Sequence, residues 1–89
     1  MPTFGTLVKF TAQEVTEMSH RRRALEEGIK MANEMGIKII NTYAISGPYD
    51  VILIYEAKDR QTADKLATDF GGRWGGHPET WALEPVGRS

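Results

Sequence analysis

The apolar and polar positions along the chain fall into six segments with two different periods. Thr3 to Phe10 alternates, placing Phe4, Thr6, Val8 and Phe10 on one face and Thr3, Gly5, Leu7 and Lys9 on the other, which predicts a strand. From about Ser19 to Met35 the period lengthens. Leu25, Ile29, Ala32 and Met35 recur at spacings of three and four, and Gly36 stands where a helix stops. Ile37 to Ser46 is rich in β-branched residues and Tyr49 to Glu56 is another extended run. Gly47-Pro48 between them supplies turn chemistry, so the pair predicts a hairpin. Asp59 is placed to cap a second helix, with Ala63, Leu66, Ala67 and Phe70 as its apolar stripe and Gly71-Gly72 as its end. Past a loop at Arg73 to Pro78, Glu79 to Glu84 sets Trp81 and Leu83 against Thr80 and Ala82, a fourth strand. Thr11 to Glu14 has capping-box spacing and predicts a short helical turn.

The order β, α, β, β, α, β is that of an α+β ferredoxin-like fold, with one four-stranded antiparallel sheet carrying two helices on one face. The chain then forms a single domain over residues 1–89, with residues 85–89 expected to fray. The third strand adds a second inference. Val51, Leu53 and Tyr55 point one way, Ile52 and Ile54 the other, so both faces are apolar. A sheet wet on one side should alternate apolar with polar residues, and one layer of helices covers one side alone. Isologous packing of two copies, sheet against sheet, is the simplest cover for the second face, so the expected partner is the chain itself, as a homodimer or a multiple of dimers.

Composition narrows the function classes. Eleven basic against twelve acidic residues give a formal charge of −1, so no global field draws the chain to nucleic acid or to an anionic membrane. The absence of cysteine excludes disulfides, thiolate zinc sites and cysteine nucleophiles. The amino terminus lacks the basic start and apolar stretch of a signal peptide, and the run Val51 to Ile54 is far too short for a bilayer, so a soluble, cytoplasmic protein is expected. At 89 residues the chain is near the small end of what folds unaided, and a partner surface would help it.

Candidate chemistry is sparse. Gly71 to His77 contains four glycines but lacks the Gly-Lys-Ser/Thr ending of a phosphate loop and follows a helix instead of preceding one. It reads either as a mobile flap that brings Arg73 and Trp74 to a ligand, or as a plain connection whose Trp fills the end of the core or a contact between copies. His77 and Glu79 are two apart on an extended segment and can share a face. As a proton-moving pair they make His77 a weak catalytic candidate, against a half-exposed structural role. No metal and no cofactor is expected, since His20 and His77 are the only histidines and neither has a ligand-spaced companion. His20 to Arg23 is the one charge cluster. It reads as a solvated helix face, with Arg22–Glu26 or Arg23–Glu27 pairs, or as help for an anionic ligand. Asp50, beside Tyr49 on the hairpin turn, suits bonds to nearby amides or a place at the mouth of a pocket.

Leu7 to Thr11, Gly47-Pro-Tyr-Asp50 and Glu79-Thr80 together resemble the GYD-domain family, whose name reflects a Gly-x-Tyr-Asp-like turn, here Gly47, Tyr49 and Asp50. The likeness runs over nearly the whole chain and departs from the pattern at the Trp74 loop and at Trp81. It implies the ferredoxin-like fold and assembly of the dimeric α/β-barrel group, and supplies no activity. Three functions follow as expectations. The first is a binding or regulatory module whose homodimer encloses a small-molecule pocket lined by Tyr43, Tyr49, Asp50, Trp74 and His77. The second is a cofactor-free enzyme, isomerase or monooxygenase-like, with His77 as base and Asp50 or Tyr49 orienting. The third is a purely structural assembly subunit.

Overall fold

In the computed structural model, which describes residues 1–10, 18–74, 76–84 and 86, the chain runs β1 (Thr3–Phe10), α1 (Met18–Glu34), β2 (Lys38–Ala44), β3 (Val51–Glu56), α2 (Arg60–Trp74) and β4 (Gly76–Leu83). The expected turn at Thr11 to Glu14 and most of the expected frayed tail lie outside the described residues. The four strands form one antiparallel sheet in the order β2-β3-β1-β4, the ferredoxin-like βαββαβ arrangement.

Alternation along the two central strands decides what is buried. Phe4, Val8 and Phe10 of β1 and Val51, Leu53 and Tyr55 of β3 meet Ala24, Leu25 and Ala32 of α1 and Ala63, Leu66 and Phe70 of α2 in one core. Within it Phe10 and Phe70 meet edge to face, ring centroids 6.3 Å apart. Thr6, the buried polar residue of that face, is satisfied. Its hydroxyl lies 2.7 Å from the Tyr55 hydroxyl and 3.0 Å from that of Thr80, and Tyr55 donates to the Ala63 carbonyl at 3.4 Å. Since each hydroxyl has one proton to give, the chain runs Thr80 to Thr6 to Tyr55 to Ala63.

The helix ends follow local chemistry. Gly36 has φ +74°, and the bonds Gly36 N–H to Asn33 carbonyl and Ile37 N–H to Ala32 carbonyl (3.1 and 2.9 Å) complete a Schellman ending for α1. Asp59 caps α2 by accepting from the Thr62 amide at 2.8 Å and the Thr62 hydroxyl at 2.7 Å. These hydrogen bonds favour the carboxylate and hold the Asp59 pKa below its ordinary value of 3.8.

Three expectations need correction. The second helix does not end at Gly71-Gly72 but continues to Trp74, and the fourth strand begins at Gly76 instead of Glu79, so most of the expected loop at Arg73 to Pro78 is helix or strand. The glycines serve close packing. A Cβ on Gly71 would sit 3.0 Å from Pro78 Cδ, and one on Gly76 would sit 2.5 Å from Val8 Cγ1. The hairpin strands are shorter than their β-branched runs, leaving residues 45–50 as the connection, and β2 carries a bulge between Ile39 and Asn41. The basic cluster is not wholly a solvated face either, because Arg21 is only 16% exposed and Glu27 pairs with Arg73 at 3.2 Å instead of with Arg23.

Candidate functional site

Two places gather the residues of interest: the uncovered face of the sheet and the β2–β3 connection at its end. Register puts Lys38, Asn41 and Tyr43 of β2, Ile52, Ile54 and Glu56 of β3, Gly5, Leu7 and Lys9 of β1, and His77, Glu79, Trp81 and Leu83 of β4 on the face away from the helices. Its middle is apolar. Trp81 is 57% exposed and Tyr43 54%, Leu83 fills the space that a Cβ on Gly5 would enter, and Ile52, Ile54 and Leu7 are half-buried between them. Its ends carry both signs of charge, with Lys9 and Glu79 at one and Lys38 and Glu56 at the other.

The connection is tied down on both sides. Its base closes through Ile45 N–H to the Asp50 carbonyl (2.7 Å) and Asp50 N–H to the Val8 carbonyl (2.9 Å). The Asp50 carboxylate, 14% exposed, accepts the Phe10 amide at 2.7 Å through Oδ2 and meets Arg21 Nη2 at 3.0 Å through Oδ1. Arg21 Nη1 also donates to the Ile45 carbonyl at 2.7 Å, while its buried Nε finds no hydrogen-bond partner among the described residues. Asp50 thus joins the end of β1, the start of α1 and the hairpin. Next to it Tyr49 points elsewhere, donating its hydroxyl to Glu79 Oε2 on β4. Because β1 lies between β3 and β4, that contact spans β1. Donation to the carboxylate, with the negative charge beside it, raises the Tyr49 pKa above its ordinary 10.0.

The five residues named from sequence are therefore not one cluster. Tyr49 and Asp50 are neighbours whose side chains take different partners. Tyr43 and His77 are both exposed on the uncovered face but belong to the two outer strands, three strand spacings or about 14 Å apart. Trp74 is the last residue of α2. A shallow concavity lies elsewhere, against the outer side of α2, lined by Met35, Lys58, Asp59, Thr62, Lys65 and Asp69 and by none of the five. Sequence reasoning missed the roles of Arg21 and of Glu79 as the partner of Tyr49. Arg21 could have been found, since it stands three and four residues before Ala24 and Leu25 on the buried stripe of α1. The Tyr49–Glu79 contact depends on strand order and had no local signal.

Among the described residues no group of three potential metal ligands occurs, and no helix is long and apolar enough to cross a membrane. Comparison with known proteins agrees with this architecture. The chain is 29% identical over 87 residues to the glutamine synthetase and cystathionine beta-lyase binding protein of Thermus thermophilus, covering 97% of this chain and 90% of that protein. Among solved structures it superposes on a protein of Thermus thermophilus with a TM-score of 0.64, at 22% identity and over the full length of both. The leucine response regulatory protein of Mycobacterium tuberculosis gives a TM-score of 0.69 at 8% identity. There the match takes in 99% of this chain but about half, 53%, of the regulator, a likeness of fold alone. The GYD domain model matches residues 4–86, and the chain belongs to the GYD domain family.

Proposed function

We propose that the protein is a non-catalytic binding or regulatory module that acts as a homodimer, its two sheets packed face to face and a small-molecule pocket formed at their rim. The observation that carries this reading is the uncovered face, where Tyr43, Ile52, Ile54, Leu7, Trp81 and Leu83 form a contiguous apolar surface on the side without helices. Monomers rarely leave such a surface to water. A second copy suits it because an isologous contact must be self-complementary, and the opposite charges at each end of the face balance one another across a two-fold axis. The related protein of Thermus thermophilus, named for binding two enzymes, supports the choice of a binding module over a catalyst. Within one chain the residues expected to line the pocket do not converge, so Tyr49 and His77 would complete a site only with the partner copy's surface.

Native mass spectrometry of protein purified from its own host tests this directly. Dimers or their multiples carrying a discrete extra mass are expected, and a clean monomer would overturn the assembly. Lys at Ile52 or Ile54 should give monomer or aggregate, because it places a charge in the buried centre of the contact.

A second reading, a small cofactor-free enzyme, draws on His77 and Glu79 sharing the exposed face of β4 beside Tyr49. A His77→Ala variant that binds and turns over small molecules as before would remove it.

A further inference from the structure

We propose that the β2–β3 connection is a two-point clamp whose points have separate tasks: Arg21–Asp50 fastens the connection to the fold, and Tyr49–Glu79 sets the rim of the face on which a second copy docks. This rests on the reading of the uncovered face as a self-association surface.

The two points differ in burial and in what they join. The Asp50 carboxylate and Arg21 are 14% and 16% exposed, and they engage the Phe10 amide and the Ile45 carbonyl. Those bonds tie backbone of β1 and of the connection to a side chain of α1, so their loss is felt by the whole fold. The Tyr49–Glu79 bridge is an exposed side-chain hydrogen bond between the connection and β4. It spans β1 at the end of the uncovered face where Lys9 and His77 are cross-strand partners. An exposed bridge of this kind contributes little to folding. What it does is hold a six-residue connection, residues 45–50, in one arrangement at the edge of the surface. Without it the connection must be ordered when the second copy arrives, and that ordering weakens association. Hence Asp50 is a folding residue and Tyr49 a positioning residue for assembly, although the two are adjacent in sequence.

The test is a cycle of Tyr49→Phe, Glu79→Gln and the double variant, each read twice, as the dimer dissociation constant by analytical ultracentrifugation and as the urea unfolding curve of the monomeric Ile52→Lys background. Each single variant should weaken the dimer about fivefold while leaving monomer unfolding unchanged. The double variant should be no weaker than either single, because the two side chains act as one unit. Dimers of wild-type strength in both singles, or losses that simply multiply in the double, would overturn the clamp. A wild-type protein that is monomeric at all concentrations would instead overturn the underlying assembly, so the two failures are distinct.

Discussion

On the helix side of the sheet, Val51, Leu53 and Tyr55 of β3 are packed out of solvent against α1 and α2, while one residue along the same strand Ile52 and Ile54 are left half-buried on the other side. The two sides use the same kinds of residue, yet their polar groups are arranged differently. Inside, the polar groups form one saturated chain from Thr80 through Thr6 and Tyr55 to Ala63. Outside, polar groups ring the apolar middle, with Lys9, His77 and Glu79 at one end and Lys38 and Glu56 at the other. A saturated interior is a finished core, whereas an apolar centre with a charged rim has the anatomy of a contact surface. The difference teaches that apolar content alone does not tell a core from an interface. The placement of the polar groups does.

The largest effect should come from cutting into the finished side. Phe70→Ala removes a ring packed against Phe10 and should cost about 4 kcal/mol in urea unfolding of the monomer. Asp50→Ala comes next, at about 3 kcal/mol, because it leaves Arg21 largely buried without its anion and removes the carboxylate's bond to the Phe10 amide.

Tyr55→Phe should cost about 1–2 kcal/mol by breaking the hydroxyl chain. Burial is the main cause that raises the Tyr55 pKa above 10.0, so the fold favours the neutral phenol. That contribution is fully present below pH 10 and is lost as pH rises through the higher folded-state value, a loss the Tyr55→Phe variant should not show. Ile54→Ala, on the unfinished side, should change monomer unfolding by about 1 kcal/mol or less while clearly weakening the proposed dimer. Equal monomer losses for Phe70→Ala and Ile54→Ala would erase the contrast between the faces.

The smallest effect lies at the cap of α2. The Asp59 pKa is lowered, so its contribution is present above the ordinary carboxylate range and lost as pH falls through the folded-state value below 3.8. Wild-type and Asp59→Ala stabilities, followed by circular dichroism, should therefore differ near neutrality and converge in acid.

Local chemistry made much of this legible in advance. The alternation of Thr3 to Phe10 bounds β1 to the residue, Gly36 and Asp59 mark helix ends by chemistry that acts within four residues, and the double-sided β3 announces an uncovered face. The errors share one cause. Gly71, Gly72 and Gly76 look like a loop from their own propensities, but Gly71 lets α2 approach Pro78 of β4 and Gly76 lets β4 approach Val8 of β1. The site was legible only as residue types. Tyr49 and Asp50 were singled out, yet their partners Glu79 and Arg21 lie 30 and 29 positions away, in places set by strand order and helix docking. His77 and Tyr43 share a face as strand parity implies, but parity along a strand says nothing of how far apart two strands lie in the sheet.

The bulge between Ile39 and Asn41 bears on the direction in which this molecule can grow. An outer strand presents free amides and carbonyls to any passing strand, and a sheet with two regular outer strands can extend sideways without limit. In β2 the bulge twists that row out of line beside Lys38, and on the opposite edge Pro78 brings a residue with no amide hydrogen into β4. With both margins spoiled for strand addition, lateral growth into a fibre is disfavoured, and the broad face is the side on which the proposed pairing of copies would fall.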